Sequence, residues 1–383
     1  MVSRAQLAVT GLGMATSLGL DAVMSCAAAR AGMSGGKALE RFPVQSPDDN
    51  SSGLLVGHAL PEVTRGFEGA ARLLRVVQAG LVDLFGTAGD RVNGDARVGV
   101  YVAVPEPLRL FEGLAWLEAP EDRQARQQSL EDAAQQVQPE AARRMIERAL
   151  ALCAPAFRPS AVVVRPGSGA TSLQLLDLAA RELTAGAVDV AVVGGIDSLI
   201  DDDYLQWLAS LRRLKTPGQP VGLQPGEGAA FVVVEGHRTL RAARPLALLG
   251  EVAIADEPSP WTAAASSTGR AVAEVVEQAQ RGAPGTVPPS WMITDHNGET
   301  YRAAEWGSAL VRLTGRRRAQ SDWTSWFPAT SFGDTGAASA LVGLGVAVRA
   351  FARSYHPAPS ATVVATAPGA TRAAVRVDAT GDR

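Results

Sequence analysis

The chain has 383 residues, 46% of them hydrophobic and 20% charged, enough apolar material for two domains or one large duplicated one and too much for a disordered polypeptide. Its 36 Lys and Arg against 39 Asp and Glu leave a net charge of −3, without the clustered cations by which nucleic-acid surfaces neutralise phosphates. Cys26 and Cys153, the only two cysteines, cannot build a disulfide framework or a thiolate zinc site, and neither a signal-peptide pattern nor an apolar run of about 18 residues is visible, so a cytoplasmic chain with no membrane span is expected.

In chain order, β-branched and apolar runs predict strands at Leu7–Thr10, Val98–Val104, Ala161–Val164, Val188–Val193 and Phe231–Val234. They continue at Ala247–Ile254, Trp291–Thr294, Thr362–Ala365 and Ala373–Val377. Several are nearly continuous apolar runs, as expected of strands covered on both faces. Helical spacing predicts helices over Ala70–Phe85, Ala141–Leu152, Thr171–Thr184, Gly269–Gln280, Ala303–Thr314 and Ala337–Ala352. Such alternation is the pattern of an α/β protein. The stretch Pro105–Pro159 is rich in Glu, Gln and Arg and reads as a helical excursion on the surface. Pro217, Gly218, Pro220, Gly222, Pro225 and Gly226 make Lys215–Glu227 a turn-rich linker. A boundary near Arg238–Arg244 divides the chain into halves 1–240 and 241–383.

Gly11-Leu12-Gly13 follows a strand, but Thr16 stands where a dinucleotide fingerprint needs its third glycine, so the pair reads as a tight turn. Asp201-Asp202-Asp203 reads as a solvated helix start, because a hard-cation cage needs convergent oxygens at graded spacing. No metal or cofactor site is expected. His58, His237 and His356 read as surface or locally bonded imidazoles. His296 differs: it sits just past the apolar run Trp291–Thr294, where open α/β sheets place ligands. A strand-to-helix turn at Val164–Thr171 carries Ser168 and Gly169 between small residues, ahead of a helix whose first N–H groups favour negative charge. Ser331–Gly336 forms a third such turn, and the three could converge on one pocket.

Taken together these segments resemble the β-ketoacyl synthases (ketosynthases) of the thiolase-like superfamily. Val9-Thr10-Gly11-Leu12-Gly13, Ala31-Gly32-Met33-Ser34-Gly35 and Arg97–Val102 are similar to the family's opening strand, helix and next core strand. Leu183–Gly195 resembles its passage into a double glycine, and Gly226-Glu227-Gly228-Ala229-Ala230 its GEGAG-like turn. Asp295–Thr300 is similar to the A-H-G-T-x-T segment, and Gly333–Ala338 to the G-H-x-x-A segment. The resemblance implies a thiolase fold: two duplicated βαβαβαββ halves in a five-layer αβαβα sandwich.

The same resemblance implies that the condensing chemistry is lost. Active members carry a cysteine nucleophile that takes an acyl chain from a carrier-protein thioester, two histidines and a lysine. Counting back from Gly194-Gly195 places the nucleophile at Gly169. The first histidine corresponds to His296, the second to Asp334 and the lysine to Ala329. The linker Lys215–Glu227 is short for the family, and Ala365–Thr371 lacks the phenylalanines of its gating segment.

The resulting expectation is a non-catalytic ketosynthase-like binding, partner or adaptor module, a homodimer or a heterodimer with a ketosynthase-like protein. An acyl-carrier protein and a secreted effector are the other partners it implies; one setting is that of chain-length factors in fatty acid or polyketide synthesis. The rival is an acyltransferase or thioesterase using Ser168, His296 and Asp334 as a triad, which requires Ser168 Oγ within about 3 Å of a His296 nitrogen. A sensor of an acyl chain or coenzyme A is a third reading.

Overall fold

The computed structural model describes residues 7–45, 52–92, 95–106, 140–236, 240, 244–261, 265–281, 290–316 and 323–380. The apolar runs become strands of one ten-stranded sheet. Its first half holds β1 (Leu7–Thr16), β4 (Val98–Pro105), β5 (Ala161–Gly167), β6 (Val190–Ser198) and β7 (Glu227–Gly236). The second holds β8 (Ala247–Asp256), β9 (Trp291–Thr294), β10 (Thr324–Trp326), β11 (Ser360–Thr366) and β12 (Thr371–Asp378). A separate hairpin pairs β2 (Lys37–Gln45) with β3 (Ser52–Gly57).

The order across the large sheet is β10-β9-β11-β12-β8-β1-β7-β6-β4-β5. Numbered within its own half, each set of strands runs outward from the centre as first, fifth, fourth, second and third. The duplication therefore lives in topology, where sequence periodicity does not reveal it. The halves join through a short antiparallel contact, Leu7 to Leu249, Ala8 to Leu248 and Val9 to Ala247.

Helices cover both faces. In chain order they are α1 (Ala22–Arg30), α2 (Gly69–Val92), α3 (residues 140–153), α4 (Gly169–Thr184), α5 (Asp202–Ser210), α6 (Arg270–Ala279), α7 (Thr300–Arg316) and α8 (Ser339–Ala352). The middle layer is α4 with α8, each touching strands of both halves. Helix α2 lies outside on β1, β6 and β7, while α6 packs on β8, β11 and β12 with α7 against it. This makes five layers, the thiolase-like arrangement. Helix α8 is apolar around its whole circumference from Ala340 to Val348, as a helix walled in by two sheets must be. Gly13 lets α2 approach β1: a Cβ there would stand 2.5 Å from Leu84 N and 2.6 Å from Gly80 O. Gly13→Ala is accordingly expected to cost about 1–3 kcal/mol, read by chemical denaturation, through overpacking.

Some expectations need correction. Part of the Pro105–Pro159 stretch is core rather than surface, since Ile146, Ala149 and Leu150 of α3 are buried against Val100 and Val102 of β4; residues 107–139 and His237 lie outside the described residues. His58 is neither on the surface nor locally bonded: it is fully buried, and its Nδ1 meets Ser331 O at 3.0 Å. Both cysteines are free, and burial pushes the Cys26 thiol up to about 12. The acidic triplet opens α5 as expected, with Asp201 Oδ1 accepting from Tyr204 N at 3.2 Å.

Candidate functional site

The three glycine-containing turns meet. Ser168 is the N-cap residue of α4, and Gly169 is its first helical residue. Asp295–Glu299 carries the chain from β9 into α7, and Gly333–Gly336 leads into a short 3-10 turn and α8. Gly195 allows the closest approach, because a Cβ there would stand 2.5 Å from Ala337 O. Gly336 has φ 51°, and its missing side chain leaves room for the Asp197 carboxylate, which accepts from Ala337 N at 2.8 Å. Only glycine fits both demands.

A cavity of about 270 Å³ lies where these turns converge, lined in part by Ser168, Gly169, Arg213, Asp295, Arg302 and Asp334. A Cβ built on Gly169 would overlap Ser339 Oγ, so the hydroxyl of Ser339 occupies the space a side chain at 169 would enter. Asp334 accepts from Asn297 Nδ2 at 2.6 Å and from Gly336 N at 2.8 Å. Asn297 Nδ2 also donates to Glu299 Oε2 at 2.8 Å, while its own Oδ1 accepts from Glu299 N at 3.1 Å. Glu299 pairs with Arg213, which donates at 2.6 and 3.2 Å. Arg302 Nη1 donates to Asp295 Oδ2 at 3.1 Å and to Thr366 Oγ1 at 2.6 Å, and its Nε lies 3.6 Å from Glu299 Oε2. Trp261 stacks on the Arg213 guanidinium at 4.4 Å. One side of the wall is therefore a hydrogen-bonded lattice through Arg213, Glu299, Asn297, Asp334, Arg302 and Asp295, while Leu199, Trp207, Leu223 and Trp261 supply apolar lining.

The three residues proposed as a triad are not linked. Ser168 and Asp334 line the cavity, whereas His296 lines a separate void of about 20 Å³ beside Trp306 and Val272, with its ring edge-on to Phe327. Ser168 Oγ faces the Thr171 N–H in a capping box of α4, and His296 Nδ1 has no hydrogen-bond partner among the described residues. The contact that the triad requires is absent from this structure. Ala329 starts a one-turn helix, Ala329–Phe332, and does not line the cavity. Asp295 lines both the cavity and the smaller void, whereas His296 lines the smaller void and not the cavity. No group of three or more His, Cys, Asp or Glu among the described residues is arranged to hold a metal ion.

Burial lowers the pKa of His296 from 6.5, helped by Arg302, and burial also lowers that of His58. Below pH 6.5 the unfolded chain binds protons at these two sites that the folded chain does not, so stability falls with pH there. Burial raises the Asp295 pKa from 3.8, an opposing slope that starts from the acid side. The melting temperature is expected to drop between pH 7 and the first unit below 6.5, and His296→Phe should flatten that drop. A drop of unchanged size in the variant would contradict the assignment to His296.

Sequence reasoning singled out Ser168, Asp334 and His296 but missed Arg213, Arg302, Ser339 and Thr366. The available signal was the Asn297-x-Glu299 turn followed by Arg302 one helical turn later, the i,i+3 spacing of an ion pair.

Residues 86–239 match the family model for the N-terminal domain of beta-ketoacyl synthase. With its duplicated topology, the chain has the ketosynthase and thiolase-like fold, and the matched residues resemble the N-terminal domain of that family. Among solved structures it is similar to the oxazolomycin ketosynthase domain of Streptomyces albus, at 17% identity and TM-score 0.71 over 99% of this chain and 75% of that one. It is also similar to the ishigamide ketosynthase/chain length factor, at 17% identity and TM-score 0.66 over 98% and 100%. A third is the AntDE ketosynthase solved with its acyl-carrier protein AntF, at 14% identity and TM-score 0.71 over 99% and 100%. No curated protein matches the chain. Among the described residues no helix is long and apolar enough to cross a membrane.

Proposed function

We propose that this chain is a non-condensing ketosynthase-like protein that keeps the fold as a binding and partner module. The observation that carries the reading is the base of the cavity: Gly169 offers no nucleophile, and the Ser339 hydroxyl stands where one would be. Around it, Asp334 sits at the position of a histidine and would repel a developing enolate, which needs a donor or cation for stabilisation. The ketosynthase/chain length factor and the ketosynthase–carrier complex among the structural neighbours motivate a ketosynthase-like chain and an acyl-carrier protein as partners. Strand β5 ends the sheet; among the described residues it pairs only with β4, and half-buried Ala161–Val164 leave an edge suited to a second subunit. That supports a homodimer, or a heterodimer with such a partner. An adaptor for a secreted effector rests on the same retained fold and lost nucleophile.

The test is malonyl-carrier protein turnover. No CO2 release and no condensation product is the expected result, and either product would overturn the reading. Gly169→Cys is expected to leave condensation below detection as well, since Asp334 and Ala329 stay unchanged and Ser339 crowds the new side chain. The acyltransferase or thioesterase reading draws support from the Ser168 hydroxyl beside the cavity. It predicts covalent labelling of Ser168 by a fluorophosphonate, whereas the module reading predicts none.

A further inference from the structure

Away from the central cavity, strand β2 runs beside α5 with open space between them. One cavity of about 840 Å³ is lined by Arg41–Val44 of β2, by Asp202, Gln206 and Ala209 of α5, and by linker residues between Leu214 and Val221. Another of about 780 Å³ is lined by Lys37–Phe42 of β2, by Asp202 and Leu205 of α5, and by residues between Pro61 and Arg72. Arg41, Phe42 and Asp202 line both, so the two form one cleft, crossed by the exposed Arg41–Asp202 ion pair at 3.2 Å. Water screens a pair of this kind, and a ligand can displace it.

The β2 side of the cleft is a strand edge. Among the described residues β2 pairs with β3 alone, and even that ladder skips from Ala38 to Pro43. Such an edge presents unpaired N–H and C=O groups to an added strand. From Lys37 to Val44 it measures about 26 Å, the reach of about seven or eight extended residues. The floor is apolar: Leu39, Phe42 and Val44 lie half-buried on the cluster that holds Leu205 and Leu214.

Charge selects the occupant. Among the described residues Lys37, Arg65 and Arg212 line the cleft without an ion pair, against Glu40 alone of its acids, since Glu68 and Asp202 hold Arg41 and Asp201 caps α5. A second copy of the chain is disfavoured, because lysine, arginine and proline on an edge, here Lys37, Arg41 and Pro43, keep it from pairing with its like. We propose that this cleft docks an acidic, extended segment of a partner protein, which adds a strand to the free edge of β2. Its apolar side chains lie on the floor and its carboxylates face Lys37, Arg65 and Arg212. The proposal rests on the partner-module reading and gives that module a docking surface apart from the central cavity, which β2 does not line.

The experiment is fluorescence anisotropy on the full chain with a fluorescein-labelled, N-acetylated heptapeptide that alternates aspartate and valine. Its lysine–valine counterpart is the charge comparison. The acidic peptide is expected to bind, and the basic one at least about tenfold more weakly. Lys37→Glu combined with Arg65→Glu is expected to weaken the acidic peptide about tenfold, two exposed charge contacts being reversed. Arg353→Glu at the exposed end of α8 leaves it unchanged. Peptides N-methylated at the aspartates or at the valines separate strand addition from a helical occupant. Only one of the two sets turns its N–H groups to β2, so one pattern abolishes binding and the other retains it. No binding, no preference for the acidic peptide, an unchanged affinity in the double variant, or equal affinity of the two methylated peptides would overturn the proposal. Catalysis is measured separately. Condensing activity in a chain that binds the acidic peptide defeats the non-condensing reading alone; an inert chain that ignores the peptide defeats this proposal alone.

Discussion

Replacing Arg302 with alanine is expected to lower the unfolding free energy by about 3–5 kcal/mol, the usual cost of removing one partner from a buried ion pair. The Arg302 side chain is 9% exposed and that of Asp295 5%, so neither charge can turn to water. One guanidinium serves Asp295, Thr366 and the Tyr301 hydroxyl, the last at 3.0 Å. Without it Asp295 keeps only the N–H and hydroxyl of Thr366, at 2.8 and 3.1 Å. Arg302→Lys should recover part of the loss, because an ammonium keeps the charge but cannot span three partners in a plane. Urea denaturation reads both variants. A loss below about 1 kcal/mol for Arg302→Ala would mean that the lattice is hydrated and does not hold the turn.

Glu227→Ala is expected to cost a similar amount, about 3–5 kcal/mol, although Glu227 does not line the cavity. Glu227 is fully buried. Its carboxylate accepts from Leu60 N at 2.6 Å, Thr64 Oγ1 at 2.9 Å, Ser198 Oγ at 2.8 Å and Arg72 at 2.6 and 2.9 Å. One side chain thus ties the helix α2, the loop ahead of it and the end of β6 to β7. Truncation strands all five donors. Glu227→Gln keeps the shape and one acceptor oxygen, so it should lie between wild type and alanine in melting temperature. Equal melting temperatures for all three would show that the motif glutamate is not a structural clamp.

Why these two residues differ in legibility is instructive. Glu227 was visible as part of a glycine-flanked motif ahead of a long apolar strand. Arg302 was harder to read, because its i,i+3 spacing from Glu299 fits a surface ion pair equally well, and nothing local reveals that Asp295 points at it too. The large strands were legible because burial on both faces writes itself as an unbroken apolar run, as in Trp291–Thr294, whose bounds match. The hairpin β2–β3 escaped notice since Lys37–Gln45 mixes Glu40, Arg41 and Pro43 with its apolar residues and its register slips between Ala38 and Pro43. Strand β10 is three residues long, too short for alternation to register.

The site was half legible. Its turns were found because glycine is demanded by geometry, at Gly336 by positive φ and at Gly195 by the approach of Ala337. The placing of Asp295 rather than His296 on the cavity was not, since both lie in the turn beyond β9, where strand alternation no longer assigns a side. Attention to the more reactive residue type favoured the histidine, while the cavity took its neighbour.

The most direct measurement is intact-protein mass spectrometry after incubation with an acyl-carrier thioester. The account predicts an unshifted mass, for wild type and for Ser168→Ala alike, with the thioester recovered whole. A wild-type adduct of one acyl group, carried on any side chain lining the cavity, would contradict it.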